Sequence, residues 1–268
     1  FPKQFLSQLD NFYSCGNYGD PAFAKDCLEI YSYVRECNPT VRLGIHTNGG
    51  MRNPAWWAKL AQHNIDVAFA VDGFKGKHEL YRKNTKFDKV IENLKAFCDA
   101  GGIARVDSLV FEHNEHEVDE LESYLLSLGV QEVNFVSTTR FYEMKEFEVH
   151  DNNGNVEYTI APAQTERFKK TPNNSLNALV DPAVRNAAVE SAIIEPKCVT
   201  EKGVYIDPYG NIFPCCFIGG EYIEQPVEEK LPIHYLRNLS VDNTKTILKT
   251  VGVPNCRDAV LNTNENLF

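Results

Sequence analysis

Apolar residues along the first 140 positions fall into short runs, and each run is followed by a stretch in which apolar residues recur at helical spacing. Runs such as "VRLGIH" at 41–46 and "DVAFAV" at 66–71 have the length and β-branched content of buried strands. The stretch "FDKVIENLKAFCDAGG", which ends at Gly101 and Gly102, is typical of an amphipathic helix. This alternation predicts a parallel sheet with right-handed crossovers. Strands are predicted at 11–15, 41–46, 66–71, 104–111 and 132–137.

Five strands are too few for a closed eight-stranded barrel, so the pattern favours an α/β fold built as a partial barrel or an open doubly wound sheet. The helix after the first strand is predicted to begin with Asp20 as its N-cap and Pro21 in its first turn, and to run to Cys37.

The alternation stops after the fifth strand. The stretch "FEVHDNNGNVEYTI" at 147–160 predicts a hairpin that turns at Asn153 and Gly154, and "GVYIDPYGNIFPCC" at 203–216 predicts a second hairpin. A further helix is predicted to begin near Asp181. We therefore expect an α/β unit at 1–141, a connecting hairpin, linker and helix at 142–196, and a small cysteine-containing α+β extension at 197–268.

Ligands bind at the carboxyl ends of the strands in parallel α/β folds, so the residues that follow each predicted strand are candidates for a site. They are rich in hydroxyls and acceptors and poor in cations, with Arg140 as the one fixed positive charge among them. The candidate segments are 16–20, 47–50, 72–73, 112–114 and 138–140.

The first of these loops, "SCGNYGDP", has the glycines of a phosphate-binding turn but not its lysine. It carries Asp20 instead, so its chemistry favours a cationic or donor-rich group such as an ammonium. The same residues also fit a plain tight turn in which Asp20 caps a helix.

The composition excludes several classes of partner. A net charge of −10 argues against nucleic acid, because contacts to phosphates need a basic surface. No apolar run approaches the length of a membrane span and no signal-peptide pattern opens the sequence, so we expect a cytoplasmic protein without membrane contact. The chain begins at Phe1 rather than methionine, and we expect it to be a fragment or a degenerate relative of a longer protein.

Eight cysteines fall into two groups. Cys27, Cys37 and Cys98 lie in predicted helices, where a free thiol behaves as a small apolar residue, and Cys15 is expected to pack as well. Cys198, Cys215, Cys216 and Cys256 gather around the second hairpin, which favours a zinc ion or an iron–sulfur cluster over buried thiols. Cys216 directly follows Cys215, so it is either a core residue or is brought to the same centre by a bend in the backbone.

Several motifs, taken in order, resemble the radical S-adenosylmethionine (SAM) superfamily with a SPASM or twitch extension. "GNYGDP" looks like the loop that receives the amino group of SAM, and "HTNGG" looks like the next strand-end motif. "VDGF", with the helix after it, and "FEHNEHEVDELESYLLSLGV" are similar to the following units. "KCVTEKGVYIDPYGNIFPCC" resembles the start of the auxiliary-cluster motif.

The resemblance implies a partial (β/α)6 barrel like an incomplete TIM barrel, and an enzyme that cleaves SAM reductively to a 5′-deoxyadenosyl radical. It places Gly16, Asn17, Tyr18, Gly19 and Asp20 at the amino group of SAM. Thr47 and Asn48 are then expected at the carboxylate or ribose, and Asp72 at the ribose side. The catalytic residues are not identified.

The family's C-x-x-x-C-x-x-C loop, which binds the catalytic [4Fe–4S] cluster, does not occur in these 268 residues. The chain alone is therefore expected to be inactive. The resemblance implies one auxiliary [4Fe–4S] cluster with Cys198, Cys215 and Cys256 as ligands, and Cys216, another group or a substrate atom as the fourth. It also implies a peptide or protein substrate, and a flavodoxin or ferredoxin as electron donor.

Two other functions fit the same residues. One is a non-radical α/β protein that binds a small cationic metabolite, and the other is a binding module stabilised by zinc at the four C-terminal cysteines.

Overall fold

The computed structural model describes residues 1–16, 18–138, 141, 145–169, 203–208, 210, 212 and 213. The chain divides into two compact units, Phe1–Thr171 and Pro172–Phe268. The three-part division expected from the sequence remains a prediction.

The first unit is built on a five-stranded parallel sheet whose strands lie side by side in sequence order. The sequence left open whether this sheet is a partial barrel or an open doubly wound sheet, and the strand order decides between the two. A doubly wound sheet reverses its strand order at a switch point, whereas successive right-handed crossovers in one direction bring every helix to one face. The predicted α/β partial barrel is therefore confirmed. Its strands are β1 (Asn11–Ser14), β2 (Arg42–Thr47), β3 (Ile65–Ala70), β4 (Ile103–Val110) and β5 (Glu132–Ser137).

Apart from α1, which precedes β1, the described helices lie in the connections between these strands. They are α1 (Lys3–Leu6), α2 (Cys27–Cys37), α3 (Pro54–Ala61), α4 (His78–Tyr81), α5 (Phe87–Asp99) and α6 (Val118–Ser127), with short 3₁₀ helices at Pro21–Phe23 and Glu115–Glu117. No helix in this part of the chain has the length and apolar character to cross a membrane.

One core joins the helices to one face of the sheet. Large side chains from the helices, such as Trp57 of α3 and Phe97 of α5, pack around Phe69 of β3 and are fully buried. The helix-facing residues of the strands, such as Ile45 and Val106, belong to the same cluster. Cys27 and Cys37 are buried in this core as predicted. Burial raises the pKa of Cys27 and of the half-buried Cys98 to about 11, so both are unreactive thiols.

The prediction for the helix after β1 is wrong at its start. Asp20 does accept the N–H of Ala22 as a cap, but only of a 3₁₀ turn, and the α-helix begins at Cys27. The cause is Arg52, which donates to the backbone oxygens of Ala22 (2.7 Å) and Ala24 (2.7 Å) and so holds this segment outside a regular helix.

Both predicted hairpins are confirmed where the structure describes them. β6 (Phe147–His150) pairs antiparallel with β7 (Val156–Ile160), and a bridge from Phe111 to Pro162 joins this segment to the end of β4. In the second unit, β8 (Tyr205–Ile206) pairs antiparallel with β9 (Ile212–Phe213). The helix predicted near Asp181 lies outside the described residues.

Gly49 follows β2 with φ at +68°, and a Cβ there would lie 2.9 Å from the Phe69 ring and 3.0 Å from Val90. Gly101 has a similar φ of +83° with nothing within 4 Å of an added Cβ. We expect Gly101→Ala to lower the free energy of unfolding by about 1–2 kcal/mol through backbone strain alone. Gly49→Ala should cost roughly 1–3 kcal/mol more because it also overpacks the core. Urea unfolding of both variants measures the difference, and equal losses would contradict this packing.

Candidate functional site

The carboxyl ends of the parallel strands meet at one edge of the sheet, called here the carboxyl edge and comprising 15–20, 47–50, 71–73 and 111–114. Asp20 joins the first two of these loops. Its Oδ1 accepts the N–H of Ala22 at 2.9 Å and its Oδ2 accepts the N–H of Asn48 at 2.6 Å. The Thr47 hydroxyl lies within 3.0 Å of both oxygens. The sequence places Asp20 and Thr47 in separate motifs, and the structure brings them into direct contact.

The loop after β2 is held by its own side chains and by α5. The Thr47 hydroxyl accepts the N–H of Gly49 at 3.0 Å, and Asn48 Oδ1 accepts the N–H of Gly50 at 2.9 Å. From α5, the buried amide of Asn93 donates to the carbonyl of Gly49 at 2.7 Å. This loop is therefore fixed from both sides, which is a requirement for a binding loop that must keep its geometry.

The loop after β1 is a glycine turn with exposed backbone. Gly16 has φ at +75° and accepts the N–H of Gly19 at 3.2 Å, and Gly19 has φ at +125°. A Cβ at Gly19 would meet nothing within 4 Å, so this backbone is open to a ligand. The Tyr18 side chain is partly exposed, and Asn17 lies outside the described residues.

Asp20 has little acceptor capacity left for a ligand. A carboxylate offers about four lone-pair positions. Ala22, Thr47 and Asn48 already occupy most of them. The structure thus gives Asp20 a positioning role between two loops, and a direct contact from Asp20 to a bound ammonium stays a prediction.

Asp72 follows β3 and is completely buried. Its Oδ2 accepts from Arg82 Nε at 2.6 Å and its Oδ1 accepts the N–H of Leu109 at 2.7 Å. Its backbone carbonyl accepts from the Asn114 amide at 3.2 Å. Asp72 therefore ties the end of β3 to the end of β4, and its predicted contact with a ribose would require it to exchange one of these partners.

Arg82 is a cation of this edge that sequence reasoning missed. It lies ten residues after Asp72 and belongs to no strand end, so no strand-end pattern points to it. The buried ring of His78 accepts the N–H of Asp72 at 3.1 Å and pairs with the Thr85 hydroxyl at 2.8 Å, which fixes the loop that carries Arg82. Burial lowers the pKa of His78, so the ring is neutral. A Cβ at Gly50 would lie 3.2 Å from the Thr85 methyl, which places this loop against the end of β2.

The end of β4 holds a second cation that the strand-end pattern does not include. Lys77 donates to the carbonyl of His113 at 2.5 Å. The His113 ring stacks on Phe111, and burial together with the Lys77 charge lowers its pKa to about 4. The carboxyl edge is therefore less poor in cations than its loop sequences indicate.

A second group of polar side chains lies on the sheet face opposite the helices. It is called here the polar cluster and comprises Tyr13, His46, Arg105, Asp107 and Asn134. The signal in the sequence was available, because "VRLGIH" and "ARVDSLVF" carry charged residues inside otherwise apolar strands. Only the pairing register shows that these side chains meet.

No three His, Cys, Asp or Glu side chains among the described residues come together in a way that could hold a metal ion. The predicted metal ligands Cys198, Cys215, Cys216 and Cys256 lie outside those residues, and their role remains a prediction. Cys15 is partly exposed beside the first loop.

Arg82→Met leaves the Asp72 carboxylate buried with a single backbone donor. We expect it to lower the free energy of unfolding by about 3–5 kcal/mol, the usual result of removing one partner of a buried ion pair. The matched control is Lys75→Met, which breaks the exposed pair with Asp88 and should cost at most about 1 kcal/mol. Chemical denaturation measures both, and a loss in Arg82→Met no larger than in the control would refute the buried pair.

No protein-family model matches the sequence, and no curated protein matches it. Several solved structures do. The chain is similar to anSMEcpe with bound AdoMet and a Kp18Cys peptide, at a TM-score of 0.49 and 14% identity over 99% of this chain and 82% of that chain. It is similar to SuiB of Streptococcus suis bound to S-adenosylmethionine, at 0.47 and 13% over 91% and 55%. It is also similar to the radical S-adenosylmethionine methyltransferase TsrM of Kitasatospora setae with cobalamin and a [4Fe-4S] cluster bound, at 0.42 and 11% over 66% and 49%.

The matches to SuiB and TsrM cover 55% and 49% of those chains, so this chain spans about half the length of those two proteins. A second match to anSMEcpe, with a Cp18Cys peptide, covers 50% of this chain and 40% of that chain. The first three of these similarities lie at 11–14% identity and at TM-scores below 0.5, and they assign neither a family nor an activity to this chain.

Proposed function

We propose that this chain is the SAM-binding part of a radical SAM enzyme. The observation that supports the proposal is the set of hydrogen bonds at Asp20. These bonds hold the glycine turn at 16–19 next to the loop that begins at Thr47, so that the two loops form one surface. The sequence motifs assign the first of these loops to the amino group of SAM and the second to its carboxylate or ribose. The turn contains no lysine or arginine, so it favours an ammonium over a phosphate.

The residues present fit the cofactor. Open backbone at Gly19, in a turn whose sequence also contains Asn17 and Tyr18, suits a small ammonium, and the neighbouring Asp20 adds a negative charge. Thr47 and Asn48 border the same space on the side proposed for the carboxylate or ribose. Arg82 uses only Nε on Asp72 and has no partner for its Nη atoms among the described residues, so it can face a carboxylate.

When bound with a reduced [4Fe–4S] cluster, SAM supplies a 5′-deoxyadenosyl radical that removes a hydrogen atom from a substrate. The tasks of this chain are to seat the amino acid part of SAM, to hold both loops rigid through Asp20 and Asn93, and to keep the carboxyl edge closed beneath the cofactor through Asp72. For Asp72 to contact the ribose, its hydrogen bond to Leu109 or to Arg82 has to break.

The substrate, the auxiliary cluster and the electron donor are further parts of the proposal. A peptide or protein substrate and a flavodoxin or ferredoxin follow from the sequence resemblance. The bound peptide of anSMEcpe belongs to that protein.

Two alternatives make different predictions. A non-radical protein for a small cationic metabolite shares the acidic glycine turn but needs no nucleoside contact. A zinc-stabilised binding module needs only the C-terminal cysteines.

Isothermal titration calorimetry tests SAM binding directly. We expect SAM to bind, methionine to compete with it, and 4-(methylthio)butanoate, which lacks the amino group, not to compete. Thr47→Val removes a hydroxyl that contacts Asp20 and Gly49, and should weaken SAM binding by about tenfold, the value of one hydrogen bond.

The control is Thr40→Val before β2, where the hydroxyl donates to Asn38 far from the loop after the strand, and the SAM affinity should stay unchanged. The absence of any heat of binding with the wild-type chain would exclude the proposal. Competition by 4-(methylthio)butanoate equal to that by methionine would exclude the role of the glycine turn.

Anaerobic purification with metal and sulfide analysis tests the auxiliary cluster. We expect about four iron and four sulfide per chain, as in a [4Fe–4S] cluster. Both should be lost in Cys215→Ala and kept in Cys98→Ala, because Cys98 is a half-buried thiol of α5 with a raised pKa. One zinc per chain without sulfide would instead support the zinc-stabilised module.

A further inference from the structure

The polar cluster is unusual for its place in the fold. Parallel sheets are normally buried on both faces and read as continuous apolar strands. Here β4 alternates fully buried residues on the helix side with half-buried ones on the other, and the latter include Arg105 and Asp107. Charged side chains that are partly removed from water cost stability unless they are paired and hydrogen-bonded, and groups of them on such a face are candidates for a site.

Small residues let long side chains from separate strands meet on this face. In the strand register, Ala68 of β3 lies between His46 of β2 and Arg105 of β4. With only a methyl group between them, Arg105 Nη2 reaches His46 Nε2 at 2.9 Å. Gly44 likewise leaves room for the Tyr13 ring, because a Cβ at Gly44 would lie 2.3 Å from that ring.

The acceptors of the cluster are already engaged. Asp107 Oδ1 accepts from the Asn134 amide at 3.2 Å, and Asp107 Oδ2 lies 3.3 Å from His46 Nε2. The neighbouring His46 ring is the main cause of a lowered pKa of Asp107, so this carboxyl is ionised. It balances the charge of Arg105, whose Nε lies 3.8 Å away.

The donors are not all engaged. Arg105 Nη2 donates to the Tyr13 hydroxyl at 3.2 Å and lies 2.9 Å from His46 Nε2, the same ring nitrogen that faces Asp107. Its Nε is buried without a hydrogen-bond partner, and its Nη1 has none among the described residues although 41% of the side chain is exposed. Tyr13 accepts from Arg105, and burial raises its pKa to about 12, so its own O–H remains a donor. The side chain of Tyr13 is exposed for a ligand.

The unused accessible donors are therefore Arg105 Nη1 and the Tyr13 hydroxyl. A carboxylate has two oxygens, one for each of these donors. A phosphate dianion fits less well, because the cluster contains a single fixed cation, with Asp107 beside it and Asp66 exposed on the neighbouring strand. The location also matters, since His46 directly precedes Thr47 and so adjoins the loop proposed for SAM.

We propose that Arg105 and Tyr13 bind a carboxylate group of the substrate on this face of the sheet. The description of the ligand as a substrate rests on the proposed function, whereas the carboxylate chemistry rests on the cluster alone. An acidic residue of a peptide and a free amino acid both supply that group, and the experiment distinguishes them.

The experiment records the ¹⁵Nε–¹H signal of Arg105 in the full chain, with SAM present, during titration with three probes. These are acetyl-Gly-Glu-Gly-amide, the same peptide with Gln in place of Glu, and free glutamate. We expect the Glu peptide to shift the signal and the Gln peptide not to shift it. A shift with free glutamate alone would assign the carboxylate to a free amino acid.

The affinity of the acidic probe should fall by about tenfold to a hundredfold in Arg105→Gln, as for a charge-assisted hydrogen bond. Tyr13→Phe should weaken it by less than tenfold. The matched control is Arg167→Gln, which breaks the exposed pair with Asp119 and should leave the affinity unchanged. Thermal unfolding confirms that the variants are folded, and Arg105→Lys should recover part of the affinity.

Two results would overturn the inference. One is an Arg105 signal that no carboxylate probe shifts, with probe affinities equal in wild type and Arg105→Gln. The other is loss of SAM affinity in a folded Arg105→Gln, which would assign the carboxylate to SAM itself. Absence of SAM binding to the wild type would refute the proposed function instead, and the probe titration repeated without SAM would still test the carboxylate site.

Discussion

The Asp20 carboxylate is the interaction on which the carboxyl edge depends. It accepts from a backbone N–H of its own loop, and from the hydroxyl and the backbone N–H that follow β2. An ionised acceptor makes such hydrogen bonds shorter and stronger than a neutral one. With this joint in place, the open glycine turn at 16–19 and the loop from Thr47 keep a fixed relation, which a site for one small ligand requires.

The hydrogen bonds of Asp72 connect two further loops at the other end of the carboxyl edge. Asp72 is buried with Arg82 and Leu109, and His78 holds the loop from which Arg82 comes. Buried charges are tolerated only when paired and hydrogen-bonded, so both joints depend on correct strand order. Asp20 and Asp72, with their partners, hold the loops of the carboxyl edge in place, and other polar residues of the edge remain open to a ligand.

The sheet has two unlike faces, and the two proposals follow from that difference. The helix side is an apolar core around Trp57 and Phe69. The opposite side carries the polar cluster, in which Arg105 and Tyr13 keep unused donors. The loops proposed for the cofactor at the carboxyl edge and the face proposed for the substrate are adjacent, as two sites that act together require.

The sequence by itself determined the strands, most of the helices, the hairpin at 147–160 and the acidic glycine turn, because each depends on local periodicity or turn chemistry. It did not determine where α2 begins, since Arg52 from a later loop holds the backbone after Asp20. It also did not indicate that Asp72 is buried against Arg82 and Leu109, and the predicted contact of Asp72 with a ribose stays a prediction. Only the tertiary structure decided these points and the polar cluster, because they arise from contacts between residues far apart in the chain, and side-chain periodicity carries no information about which strands become neighbours.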